Sequence, residues 1–220
     1  MKRSQLVVGL ISATVALTFL ELRSRGAVAT RATSQPTTAE SVGASESPTA
    51  LIHRYLKALD ARDRNAALKC WDTADPQAAR IAELQVDLTI AVSRVKKAVR
   101  AKFGRDASDM LQMAPVVSEE EFGSVEEHTA DPTDASVDVI ANNQMQSQMS
   151  YPIARSAGAW KLSAAQALKD RPQNVPFETE LAMGRKMVAS MTATAEATEK
   201  GQLNSLDEVM RKTSEALPSP

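Results

Sequence analysis

The hydrophobic period of this chain changes along its length, and that change limits the possible folds more than any motif does. From residue 48 to about residue 103, apolar residues recur every three or four positions, as on one face of a helix. From about Ser118 to Leu162, apolar and polar residues alternate, which is typical of strands with one buried face. The helical period then returns. This order predicts an α+β fold for the 220-residue chain, with helices before and after an antiparallel sheet.

Residues that cap helices mark where the predicted N-terminal helices begin. Ser47-Pro48 begins the first helix, because a serine side chain can cap it and a proline suits its first turn. Asp63 begins a short second helix, which is expected to continue to Trp71. Asp75-Pro76 begins a long third helix, which Gly104 is expected to end.

The predicted third helix has an apolar side and a basic side. Its apolar residues form one narrow stripe: Ile81, Leu84, Leu88, Ala91, Val92, Val95 and Val99. Its basic residues are Arg94, Lys96, Lys97, Arg100 and Lys102. Because the helix dipole favours cations near a C-terminus, we interpret the basic residues as a solvated face. The alternative is a surface that binds phosphate or an acidic partner.

Four alternating segments predict a meander of three or four antiparallel strands. They span residues 125–129, 136–140, 145–155 and 160–162. Asp131-Pro132-Thr133-Asp134 and Ala157-Gly158 are typical of the turns between strands, and Trp160 is expected to close the core. Beyond the sheet, apolar residues from Phe177 onward predict one helix, which Gly201 separates from a final helix.

The first 29 residues have the order of a secretory signal. Lys2 and Arg3 precede an apolar run at residues 6–20, and Ala27-Val28-Ala29 matches the small residues of a cleavage site. The run is shorter than the roughly 20 residues that span a bilayer. The sequence therefore predicts export to the periplasm or outside the cell, with cleavage after Ala29. The alternative is a protein tethered to the membrane by residues 6–20.

Charge and composition limit the partners of the remaining chain. The whole sequence has 26 basic and 27 acidic side chains, and residues 1–29 contain four of the basic and one of the acidic ones. The rest is therefore mildly acidic, which gives no electrostatic reason to expect binding to nucleic acid or to an anionic membrane. Residues 30–47, rich in Thr, Ser and Ala, predict a disordered linker. Cys70 is the only cysteine, and its neighbours Leu68 and Trp71 favour burial over pairing between chains.

Motifs for cofactors, metals and common hydrolases are missing from the sequence. It contains no glycine-rich phosphate loop and no G-x-S-x-G run, and its two histidines and one cysteine lack zinc-binding spacing. The acidic run at residues 118–121 lacks the spaced oxygen ligands of a calcium loop. Met183, Met187 and Met191 have the spacing of a helical stripe rather than of a copper site. We therefore expect neither a cofactor nor a metal.

Two segments together resemble the NTF2-like superfamily. Residues 55–63 read YLKALDARD, which is similar to the opening helix Y-x-x-A-L-x-x-x-D of that superfamily, and residues 158–162 read GAWKL, which is similar to its closing run G-x-W-K-[ILV]. The nearest subgroups are the SnoaL-like and DUF4878-like domains, many of them in exported bacterial proteins. The resemblance covers residues 48–168. The long third helix departs from the family pattern, and residues 169–220 form an additional C-terminal helical extension.

The resemblance implies a curved sheet that, with the N-terminal helices, encloses a cone-shaped pocket. Family members use this pocket as an active site, as a ligand site or simply as core. The few catalytic candidates for such a pocket in this chain are Tyr55 and His53 on the first helix and His128 on a strand. Each also has a structural interpretation, since Tyr55 fits a core position, His53 lies near the edge of the buried face, and His128 faces either the pocket or water.

Two functions follow from these expectations. The favoured one is an exported, non-enzymatic domain that binds a small-molecule ligand or a protein partner in the cell envelope, because the catalytic constellation is missing. The alternative is a SnoaL-like isomerase or dehydratase that uses the cone pocket.

Overall fold

The computed structural model describes residues 46–111, 122–131, 134–142, 148–169, 171 and 174–215, and these form an α+β fold. The helices are α1 (Pro48–Asp60), α2 (Arg64–Leu68), α3 (Pro76–Phe103), α4 (Arg105–Met110), α5 (Ala165–Lys169), α6 (Phe177–Glu199) and α7 (Leu206–Ser214). The strands are β1 (Phe122–Asp131), β2 (Asp134–Ala141), β3 (Gln148–Ser156) and β4 (Ala159–Leu162). The predicted signal at residues 1–29, most of the predicted linker and the acidic run at residues 118–121 lie outside the described residues.

The predicted caps begin the first three helices. Ser47 Oγ accepts a hydrogen bond from the Ala50 amide at 3.1 Å, and Asp63 Oδ1 accepts one from the Ala66 amide at 2.9 Å. Asp75 Oδ1 accepts two hydrogen bonds of 2.8 Å from amides in the first turn of α3. These bonds satisfy amides that have no partner within the helix. At the other end of α3, Gly104 adopts a φ of 93°, which a residue with a side chain rarely adopts.

The prediction that the second helix continues to Trp71 was wrong, because α2 ends at Leu68. Trp71 instead forms an isolated parallel bridge with Leu162 of β4. The Leu162 amide donates to the Cys70 carbonyl and the Asp72 amide donates to the Leu162 carbonyl, both at 2.8 Å. A short extended segment therefore replaces the last predicted turn, and it binds the backbone of the final strand.

The four predicted strands form one antiparallel sheet in the order β1-β2-β3-β4. The described strands β1, β2 and β4 extend beyond the predicted segments, and β3 ends one residue beyond its predicted end. The predicted start of the third strand, at residues 145–147, lies outside the described residues. Val137 pairs with Tyr151 and Val139 pairs with Met149, so that these side chains share the face that packs against the helices. The turn residues 132–133 and the polar break at residues 143–144 lie outside the described residues.

Two clusters of buried side chains lie along α3. The sheet core packs α1, α2 and the first half of α3 against the sheet; its largest members include Leu51, Ile52, Tyr55, Leu56, Trp71, Val86, Val137, Val139, Ile153, Trp160 and Leu162. The helical core packs the second half of α3 against α6 and α7; its buried members are Ala91, Val95, Val99, Leu111, Met191, Ala195, Leu203 and Val209. The C-terminal helices therefore pack on the same long helix as the sheet.

The predicted apolar stripe of the third helix is only one of two buried sides of α3. Ala78, Ala82 and Val86 belong to the sheet core, whereas Ala91 and Val95 belong to the helical core. Five residues separate Val86 from Ala91, and at 3.6 residues per turn this step rotates the buried side by about 140°. α3 therefore buries a second side against the sheet, in addition to the stripe that faces α6, where Leu84 lies against Gly184.

Three basic residues of this helix also contact neighbouring elements; Lys97 and Lys102 are exposed as predicted, whereas Arg94 is half-buried. Arg94 forms ion pairs with Glu196 at 3.4 Å and with Glu199 at 2.6 Å, both on α6. Lys97 Nζ lies 2.9 Å from Asp60 Oδ1 at the end of α1, and Lys102 Nζ donates a hydrogen bond to the backbone carbonyl that precedes α7. These cations connect α3 to its neighbours.

Two short helices were not predicted, because α4 has six residues and α5 has five, too few to show a period. Among the described residues, no helix is long and apolar enough to span a membrane.

Candidate functional site

Tyr55, the first catalytic candidate, lies inside the sheet core with 2% of its surface exposed. Its ring packs edge-on against two other aromatic rings: the Trp71 centroid lies 6.1 Å away, and the Tyr151 centroid 6.2 Å away on β3. Such edge-to-face contacts add to the stabilisation from apolar burial. Trp160, as predicted, is also buried in this cluster. Aromatic and aliphatic side chains fill the space between the helices and the sheet.

The two tyrosine hydroxyls of this aromatic group are poor proton acceptors, because burial raises their pKa values. Burial raises the pKa of Tyr55 above its ordinary value, and the nearby Trp71 and Thr89 side chains oppose only part of that effect. Burial and the neighbouring Tyr55 also raise the pKa of Tyr151. The Trp71 indole nitrogen is buried without a hydrogen bond of ordinary geometry among the described residues. Both phenols therefore stay protonated at neutral pH and are unsuited to act as a general base.

The two histidines lie away from this aromatic group. His53 is exposed on α1, and its ring centroid lies 3.8 Å from that of Phe122 at the start of β1. His128 lies on β1, and its Nε2 atom lies 3.2 Å from Asp138 Oδ2 on β2. Because side chains alternate along a strand, Asp138 and His128 occupy the face opposite to Val137. The structure does not bring Tyr55, His53 and His128 together.

Asp138 was not singled out in the sequence. It lies between two valines in an alternating strand, which is the pattern of a polar residue that faces water. In the structure it is 0% exposed. Nothing in its local sequence distinguishes a buried aspartate from a solvated one.

An open groove of about 1110 Å³ lies outside the sheet core, between α1, the segment after α2, the start of α3 and the β3–β4 hairpin. We call it the basic groove, because Arg54, Lys69 and Lys161 line it. Trp71 contributes an apolar wall, and Asp72 and Glu83 are the acidic residues that line the groove. The volume exceeds the roughly 300–1,000 Å³ of ligand pockets, because the groove is open to solvent.

The cations of the basic groove are held in place by contacts within the protein. Lys161 Nζ donates a hydrogen bond of 2.5 Å to the Lys69 carbonyl, which follows the last turn of α2. Arg54 Nη2 lies 2.7 Å from Glu46 Oε2. The two cations come from α1 and β4, more than 100 residues apart in sequence, and no local pattern predicts that they share one groove.

Cys70 lies beneath this groove and is 0% exposed, which confirms the prediction of burial. Its Sγ atom lies 3.5 Å from the Ala66 carbonyl. Burial raises the pKa of the thiol, whereas Arg54 and Lys161 act in the opposite direction and Glu46 adds to the rise. The thiol is therefore protonated at neutral pH and unreactive.

A second, smaller depression of about 80 Å³ lies between α3 and α6. Its charged residues are Arg80, Glu83, Asp87 and Arg185. Arg80 pairs with Glu178 at 2.5 Å, and Asp87 pairs with Arg64 at 2.6 Å. A volume of this size holds water rather than an organic ligand.

Within the described ranges, no group of three or more His, Cys, Asp and Glu side chains is arranged to hold a metal ion. Comparisons of the chain with protein-family models, with curated proteins and with solved structures gave no significant match. The resemblance to the NTF2-like superfamily therefore stays a prediction, and function must be inferred from the geometry.

Proposed function

We propose that this protein is an exported, non-enzymatic NTF2-like domain that binds a small-molecule ligand or a protein partner in the cell envelope. The filled sheet core is the observation that carries this proposal. An isomerase or dehydratase of the SnoaL-like kind needs an acid or base beside its substrate inside the cone. Here Tyr55 is packed against Trp71 and Tyr151, and both histidines lie elsewhere.

The contact between the two segments that resemble the superfamily supports this assignment. The first segment leads into Trp71 and the second ends at Leu162, and these two residues form a backbone bridge. Both side chains also belong to the sheet core. The two segments are therefore neighbours in space although about 90 residues separate them in the chain.

The export part of the proposal rests on the N-terminal sequence and is tested separately. N-terminal sequencing of the protein from fractionated native cells should find a chain that starts at Thr30 in the periplasm or the medium. A chain that keeps Met1 in the membrane fraction would support the tethered alternative. A chain that keeps Met1 in the cytoplasm would contradict export.

The binding part is tested with a panel of cell-envelope metabolites and peptides, followed by NMR of the labelled protein. We expect ligands to perturb the signals of exposed residues and to remain chemically unchanged. The Tyr55→Phe variant keeps the buried ring and removes the hydroxyl, so it should bind the same ligands with the same affinity. Perturbations centred on Tyr55 and Tyr151, together with turnover that Tyr55→Phe abolishes, would contradict this proposal and favour the enzyme.

A further inference from the structure

We propose that the basic groove binds an oxyanion, a carboxylate or phosphate group of a ligand, between Arg54 and Lys161, and that the protein's own Glu46 carboxylate occupies this position when no ligand is bound. The inference rests on the proposed function, because it names the ligand chemistry of a binding domain.

Glu46 shows what the groove attracts. Its carboxylate lies 2.7 Å from the Arg54 guanidinium, which is the distance of a charge-assisted hydrogen bond. Arg54 and Lys161 both line the same open groove. A carboxylate therefore already pairs with one of the two cations that line the groove.

The Glu46 carboxylate can be displaced at low cost. The Arg54 and Glu46 side chains are 49% and 32% exposed, and ion pairs with this much solvent contact are weak. Glu46 precedes Ser47, the residue that caps α1, so it lies outside the helix. The Glu46 side chain can therefore leave Arg54 while Ser47 continues to hold the first turn. A ligand oxyanion would replace one carboxylate with another group of the same chemistry.

Three cations and two carboxylates line the groove, so its lining carries one net positive charge. Asp72 Oδ1 accepts a hydrogen bond of 3.1 Å from the Ala74 amide in its own turn. Glu83 lies on α3, with its carboxylate 4.0 Å from Arg64. Lys161 is already oriented by its bond to the Lys69 carbonyl, so it loses little freedom when an anion binds. The volume of about 1110 Å³ leaves room for the rest of a ligand against Trp71.

Isothermal titration calorimetry of the full chain tests the inference, with inorganic phosphate and citrate as separate probes in a buffer of low ionic strength. We expect Arg54→Gln and Lys161→Gln each to weaken binding about tenfold, because each removes a charge-assisted hydrogen bond. Glu46→Gln should strengthen binding several-fold, because it removes the competing charge. Lys212→Gln on the exposed side of α7 makes the same charge change far from the groove and should have little effect.

The two probes distinguish the two sources of the oxyanion: tighter binding of phosphate indicates a phosphorylated ligand, and tighter binding of citrate a polycarboxylate. Arg54→Lys, which keeps the charge and loses the forked geometry, should fall between wild type and Arg54→Gln. Equal weakening by Lys212→Gln, or no binding of either probe by wild type and Glu46→Gln, would overturn the inference. Those results leave the proposed function standing if other ligands bind, whereas ligands that map to Tyr55 would contradict the proposed function itself.

Discussion

The sheet core and the helical core on α3 differ in the types of side chain that they bury. The sheet core contains buried aromatic rings, among them Tyr55, Trp71 and Trp160, packed on a face of the antiparallel sheet. The fully buried members of the helical core are aliphatic residues and one methionine, and ion pairs such as Arg94–Glu199 surround them. One half of the protein therefore depends mainly on apolar burial, and the other combines burial with close helix packing and charge pairing.

The largest expected effect is in the sheet core. Ile153 is 0% exposed, and Ile153→Ala should lower the free energy of unfolding by about 2–5 kcal/mol, because it leaves a cavity.

Val137→Ala and Val209→Ala form a matched pair at two buried valines, one in each core. We expect Val137→Ala to cost more in urea unfolding, because neighbouring strands fix Val137 whereas α7 can move into the space. Equal costs would show that both cores are equally rigid.

The next largest expected effect is a loss of stability at alkaline pH, which comes from the tyrosines of the sheet core. The unfolded chain loses its tyrosine protons near pH 10, whereas the raised pKa of Tyr55 keeps that proton in the folded state. Stability from this group is therefore complete below pH 10 and falls above it, by about 1.4 kcal/mol for each further pH unit. The chain contains two tyrosines, both in or against the sheet core. Phenolate absorbance should therefore appear together with the loss of circular dichroism; its appearance in folded protein would contradict this prediction.

A smaller effect tests the close approach of α3 and α6. A Cβ atom at Gly184 would clash with the Leu84 side chain, so Gly184→Ala should destabilise the protein by about 1 kcal/mol despite the better helix propensity of alanine. In a Leu84→Ala background the clash is gone, and the same change should stabilise the helix. A double-mutant cycle measures the difference. If Gly184→Ala has the same sign in both backgrounds, the two helices do not pack this closely.

The smallest effect concerns acid stability of the helical core. Hydrogen bonding to Arg94 lowers the pKa of Glu199, so this pair stabilises the folded state above the ordinary pKa of glutamate and stops doing so as pH falls through the lowered value. Arg94→Gln should therefore reduce stability slightly at neutral pH and make it less dependent on pH in the acid range. Thermal unfolding at several pH values measures both changes. Parallel pH curves for wild type and variant would contradict the assigned role of the pair.

Local signals in the sequence predicted much of the fold and little of the candidate site. Caps such as Asp63 and alternation such as that around Val137 depend on neighbours within a few residues, so they are visible in the sequence. The pairing of Arg94 with Glu199 joins residues 105 positions apart, and the burial of α3 on two sides depends on both the sheet and α6. The basic groove likewise combines Arg54 and Lys161 through the folded sheet. Contacts of this kind exist only after the elements pack.

The bridge between Trp71 and Leu162 also affects how the protein behaves among many copies of itself. An unpaired sheet edge can recruit strands from other molecules and seed aggregates. At β4, the Cys70 carbonyl and the Asp72 amide already bind the backbone of Leu162. The segment that follows α2 thus pairs with backbone groups of the edge strand β4, and it also forms one wall of the basic groove. Changes that loosen this segment are therefore expected to promote self-association as well as to alter binding.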